Sequence, residues 1–159
     1  MNYIKMIDLQ DIKIEPSLIP TDADVIHGNV SENARLDFSA IEIWSQYQKT
    51  FMDVRVTHPT ADSHIGKTAE ALYRENEREK KSKYNERITN TEKATFTPLV
   101  FSTSGGMAPE CTKLNKRIAE LISLKTGEAY SHVMRFIRTR LRFALLRTSL
   151  IAIRGTRGS

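Results

Sequence analysis

Between Leu36 and Val56 two apolar runs flank a polar turn, and this pattern constrains the fold more than any other stretch of the chain. Leu36, Phe38, Ile41, Ile43 and Trp44 form one run, and Phe51, Met52, Val54 and Val56 form the other. Both are rich in β-branched and aromatic residues, which suit a pleated, half-buried surface. Ser45, Gln46, Tyr47, Gln48 and Lys49 are too hydrophilic for a core, so the runs read as two strands of a hairpin closing at residues 45–49. Side chains alternate along a strand, which puts Phe51, Asp53 and Arg55 on one face and Met52, Val54 and Val56 on the other. With that closure Asp37 lies opposite Arg55, and Asp53 falls one pair further along. Two carboxylates and a cation then converge on one patch of sheet, the ingredients of a divalent-metal phosphodiesterase site. The plain alternative is a surface salt bridge, which contributes little.

Upstream, Asp11 to Pro16 alternates and reads as a short strand ended by proline. Residues 16–34 form a polar loop containing Pro16, Pro20, His27 and Gly28. Downstream, Ser63 is placed to cap a helix running from about Gly66 to Ile88. That helix is very polar, so its few apolar positions mark the face that meets the sheet. At ~100° per residue Tyr73, Tyr84 and Ile88 fall within about 60° of each other, Glu77 lies inside the arc, and Lys80 lies only about 20° outside it. A lysine beside the buried stripe either reaches an acid or snorkels to water.

Phe96 to Ser102 is apolar enough for a strand buried on both faces. It runs into Thr103-Ser104-Gly105-Gly106-Met107, a turn whose glycines permit positive φ. A Gly-rich turn before a helix can offer N–H groups to a phosphate, but this one lacks the lysine and spacing of a P-loop. The next helix has Pro109 in its first turn, an apolar stripe of Cys111, Leu114, Ile118, Leu121 and Ile122, and Gly127 as its stop. A last helix spans Ser131 to Ile153, with Val133, Phe136, Ile137, Leu141, Ala144, Leu145 and Ile151 positioned to pack. Residues 154–159 make a basic tail.

The charge is unevenly spread. Residues 1–66 hold ten acids and five bases, whereas no acid occurs from Tyr130 onward, where Arg135, Arg138, Arg140, Arg142, Arg147, Arg154 and Arg157 lie. An acidic site-bearing half and a basic end suit a protein that holds metal in one place and phosphates in another. At 159 residues, 40% hydrophobic and 27% charged, the chain reads as one globular domain with a real core. No run approaches the ~20 apolar residues of a membrane span, and the start lacks a signal-peptide pattern. The single cysteine, Cys111, excludes an internal disulfide and a cysteine-based zinc cluster, and fits an intracellular, reducing compartment. His27, His58, His64 and His132 lack metal-ligand spacing, and no nucleophile-elbow motif is present.

Leu36-Asp37, fifteen residues and Asp53-Val54-Arg55 resemble the PD-(D/E)XK pattern of restriction-endonuclease-like nucleases. The ordered blocks ARLD, FMDVRV, NEREKKSKYNERI, FTPLVFSTSGGM, RIAELIS and LRFALLR also resemble the endonuclease-like domain near reverse transcriptases in animal retroelement proteins, over most of the chain from about Glu15. The resemblance implies an α/β restriction-endonuclease-like core: a small mixed sheet with flanking helices and a C-terminal basic helix. It implies a single nuclease-like domain over residues 1–159, one that begins too late to contain much of the helix preceding the first strand. Glu15 would be what remains of that region.

By the same resemblance Asp37, Asp53, Arg55 and Lys80 are the catalytic candidates, and Asp37, Asp53 and the Val54 carbonyl are the ligands of Mg²⁺ or Mn²⁺. Lys80, Lys83 and Tyr84 occupy the K-x-x-K-Y block of retroelement endonucleases. Lys81, Lys83, Tyr84, Arg135, Arg138 and Arg142 are the candidates for contact with nucleic acid. Arg55 stands where the pattern has lysine, and because arginine stays protonated it serves charge neutralisation rather than general base catalysis. The expected partner is double-stranded or structured DNA, in the nucleus, within a larger retroelement polyprotein and with no membrane. The expected activity is DNA nicking. The alternatives are a nucleic-acid-binding module that keeps the fold without catalysis, and a purely protein-binding domain.

Overall fold

The apolar runs form a sheet whose two faces are covered by helices. The computed structural model describes residues 12–19 and 36–155. The loop residues 20–35, His27 among them, and the tail 156–159 lie outside the described residues. In chain order the elements are β1 (Lys13–Ile14), β2 (Phe38–Ile41), β3 (Lys49–Thr57), a 3₁₀ turn (Asp62–His64), α1 (Ala69–Asn90), β4 (Thr95–Ser102), α2 (Pro109–Thr126) and α3 (Tyr130–Gly155). The strands lie in the order β1-β2-β3-β4; the first three are antiparallel, and β4 runs parallel to β3. A parallel pair needs a long crossover, and α1 supplies it. The chain is thus a mixed α/β fold with a four-stranded mixed sheet.

The hairpin register differs from the expected one. Phe38 pairs with Met52 and Ile41 with Lys49, so the loop spans residues 42–48 rather than 45–49. Glu42 and Tyr47 take positive φ angles of 66° and 61°, and Glu42 N–H donates to the Gln48 carbonyl at 3.0 Å. Those two conformations end β2 at Ile41 and turn Ile43 and Trp44 into the core, where the Trp44 indole N–H donates to Thr97 Oγ1 at 3.1 Å. Continued by one pair, this register sets Asp37 opposite Asp53, not Arg55. The shift is two residues, so each side chain keeps its face.

One face of the sheet carries Phe51 and Phe96, which pack with Leu18, Leu36 and Ala94 against Tyr84 and Ile88 of α1. The other carries Ala40, Met52, Leu99 and Phe101, which pack against Cys111 and Leu114 of α2 and Leu145 of α3. β4 is buried along nearly its whole length, as its composition requires.

Helix ends follow local chemistry. α1 begins later than the spacing suggests, because Thr68 rather than Ser63 is the cap: its hydroxyl accepts the Ala71 N–H at 3.2 Å, while Ser63 lies in the 3₁₀ turn. α2 starts with Pro109 and ends at Gly127, whose φ of 73° is left-handed. Its N-cap residue, Ala108, has no polar side chain. Glu77 of α1 supplies the acceptor instead, taking the Glu110 N–H at 2.8 Å. In α3, Val133, Met134 and Leu145 are buried and Phe136, Ile137 and Leu141 half-buried, but Ala144 faces solvent together with Phe143, Leu146 and Leu150.

Candidate active site

Asp53 sits in the middle of β3 on the face covered by α1, and only 7% of it is exposed. A strand centre is a costly place for a carboxylate unless something cationic meets it. Lys80 does: its ammonium donates to Asp53 Oδ2, from a side chain that is itself mostly buried. The helical period explains the meeting, since Lys80 flanks the Tyr73–Tyr84–Ile88 stripe that seats α1 on the sheet.

Asp37 joins from just before β2, where its Oδ2 accepts the Val54 N–H at 2.6 Å. That bond anchors the carboxylate to the residue after Asp53. β1 closes over the same corner, because Glu15 N–H donates to the Asp37 carbonyl at 2.9 Å. Burial raises the Asp53 carboxyl above its ordinary range; Lys80 works against the shift, and the Asp37 carboxylate adds to it. Two facing carboxylates, one of them reluctant to ionise, form a pair whose ionised state is favoured by added positive charge.

The donor chemistry fits a hard cation. Carboxylate oxygens suit Mg²⁺, which keeps several waters and needs only one or two protein carboxylates. Among the described residues, no third His, Cys, Asp or Glu gathers with Asp37 and Asp53 to make a fuller ligand set.

Arg55 shares the face of Asp53 but turns to α1, where its guanidinium bonds Glu79 Oε2 at 2.6 Å and holds that carboxyl below its ordinary range. The cation on the carboxylates is therefore Lys80. Lys81 pairs with Glu110 at 3.1 Å, at the start of α2. Lys83 lies over the Tyr84 ring, 4.9 Å from its centroid, and the ring is buried 5.5 Å from that of Phe96. Tyr84 is thus part of the core and offers no face to a base. Arg135, Arg138 and Arg142 are exposed on α3, in the layer on the opposite side of the sheet from Asp53. The structure does not bring them to the carboxylates.

Sequence reasoning did not assign Glu77 a role, although it placed this residue inside the buried arc. The signal was available at Ala108-Pro109, a helix start with no capping side chain of its own. His58 and His64 serve the segment after β3: His58 and Thr103 bond at 3.1 Å, and His64 bonds the His58 carbonyl at 2.7 Å.

Comparison of this chain with known protein families, with curated proteins and with solved structures found no match.

Proposed function

We propose that the chain is a divalent-metal-dependent DNA endonuclease of the PD-(D/E)XK kind, acting by phosphodiester hydrolysis within a mobile-element protein. The observation that carries this reading is the facing pair Asp37 and Asp53, with the Lys80 ammonium on Asp53. The antiparallel β1-β2-β3 segment, the α1 crossover and the parallel β4 agree with the small mixed sheet that the motif resemblance implies. Asp37, Asp53 and the Val54 carbonyl would hold Mg²⁺ or Mn²⁺, which supplies Lewis acidity and a lowered pKa for bound water.

The chain's own residues divide the remaining tasks. Asp37 is held in place through Val54 N–H, so the first carboxylate is preorganised. Lys80 is flexible, compact and close to Asp53. It neutralises charge developing on the scissile phosphate and takes over the role that the motif gives to a lysine at the position of Arg55. Arg55, engaged by Glu79, contributes at the margin.

Supercoiled plasmid incubated with Mg²⁺ or Mn²⁺ tests the reading: wild type nicks it, and Asp37→Ala and Asp53→Ala do not. Metal-dependent nicking that survives both substitutions would sink it. A second reading, a nucleic-acid-binding module without catalysis, is favoured by the exposed arginines of α3, which stand apart from the carboxylates. It predicts salt-sensitive DNA binding that is indifferent to Mg²⁺ and to Asp37.

A further inference from the structure

Where α3 passes the end of β4, a pocket of about 280 Å³ opens between that helix, the first turn of α2 and the glycine turn after β4. It lies on the face of the sheet opposite Asp53. Its apolar lining includes Met107 and Leu141, Thr112 borders it, and Arg138 and Arg142 of α3 line it as well. Spaced i, i+4, the two arginines are neighbours on the helix surface. Neither is paired with a carboxylate among the described residues, and no acid lies on α3 to compete for them. By contrast, Lys80, Lys81, Lys67 and Arg55 each hold a carboxylate. Two adjacent guanidiniums left unmatched over an apolar wall are a place where an anion is favoured over water.

The turn contributes shape rather than donors. Gly105 N–H is committed to the Ser102 carbonyl at 2.9 Å and Gly106 N–H to Ser102 Oγ at 2.8 Å, so neither amide is free for a ligand. Ser102 is fully buried and also accepts the Tyr73 hydroxyl, which makes that side of the pocket rigid before any ligand arrives. The volume falls just below the roughly 300–1,000 Å³ of ligand clefts. That suits one nucleotide's phosphate and sugar rather than a base pair.

We propose that this pocket seats a single backbone phosphate of the bound nucleic acid, clamped by Arg138 and Arg142, with the attached sugar against Met107 and Leu141. It rests on the nucleic-acid reading above and is independent of cleavage. A strand held here is gripped on the face away from the carboxylates, which fixes its register before it reaches them.

The test is binding of a labelled DNA duplex to the full chain in EDTA across a salt series, with inorganic phosphate titrated separately. Arg138→Lys/Arg142→Lys keeps both charges but loses the planar fork, and it should weaken DNA binding about tenfold. Arg138→Gln/Arg142→Gln should also lower the salt slope by about 0.9, the value for one phosphate. Arg74→Lys/Arg78→Lys, an exposed i, i+4 pair on α1 outside the pocket, should bind as wild type does. Equal binding by the pocket lysine pair and wild type overturns the proposal, as does an equal loss in the control pair. Loss of inorganic phosphate binding with DNA affinity intact overturns it too, in favour of a small phosphate ligand. Wild type that binds without nicking leaves the pocket standing and ends only the nuclease reading.

Discussion

Gly106→Ala separates a steric requirement from a conformational one. Gly106 does not lie at positive φ, so alanine can adopt its backbone without strain. The difficulty is space: a Cβ there would sit 2.0 Å from the Tyr73 hydroxyl and 2.9 Å from Ser102 Oγ. Tyr73 is 9% exposed, so its ring has nowhere to swing, and any retreat breaks the 2.9 Å bond to Ser102. Overpacking of this kind costs about 1–3 kcal/mol. The lost hydrogen bond adds about 1 kcal/mol, for a total near 3 kcal/mol. Tyr73→Phe alone should cost about 1 kcal/mol. In that background the nearest remaining ring atom is Cζ at 3.2 Å, so adding Gly106→Ala should cost only about 1 kcal/mol more. The double-mutant cycle, read from urea unfolding midpoints at constant slope, therefore predicts a coupling of about 2 kcal/mol. A coupling below about 0.5 kcal/mol would mean the hydroxyl is not what excludes a side chain at this position.

Asp53→Asn should gain stability relative to wild type as pH rises. The folded carboxyl titrates above its ordinary 3.8, so in that window the native state binds more protons than the unfolded state and wild type loses stability on going upward. Unfolding midpoints of both proteins from about pH 4 to about pH 7 check this, and a difference that stays flat contradicts it. Cys111, buried and with its thiol pushed up to about 12 by burial and then by the Glu77 carboxylate, should resist thiol reagents in the native protein and react only on unfolding. Fast labelling in native buffer would show that the α2 interface opens. Within the nuclease reading, Lys80→Met should abolish nicking, whereas Arg55→Ala should cost less than about tenfold, since its guanidinium is held by exposed Glu79. The reverse order would return the lysine role to Arg55.

What the chain's residues disclose in advance depends on whether the decisive interaction is periodic. Lys80 meeting Asp53 follows from two periods, the alternation of β3 and the 3.6-residue turn of α1, and both are visible without coordinates. The hairpin register is not, because it turns on Glu42 and Tyr47 adopting positive φ, a conformation usually signalled by glycine or asparagine. Ser63 and Thr68 are equally able to cap a helix, and the chain path through the 3₁₀ turn selects Thr68. Tyr84 shows the limit of motif reasoning: an aromatic beside two lysines suits a nucleic-acid surface or a core equally well. Only the position of Phe96 on a distant strand decides between them. The pocket at Arg138 and Arg142 was beyond reach for the same reason, since it joins a helix to a turn more than thirty residues earlier.

One stripe of α1 grips three separate parts of the molecule. Tyr73 holds the turn through Ser102, Glu77 holds the start of α2 through Glu110 N–H, and Lys80 holds Asp53. A rigid helix cannot adjust one grip without loading the other two. Within the nuclease reading, cation binding at Asp53 should therefore alter deuterium exchange at the Gly106 and Glu110 amides, both of which close onto this stripe or its partner. Coupling of this kind would be reciprocal: within that reading, whatever steadies the glycine turn should, by the same free energy, alter affinity for a cation at the carboxylates.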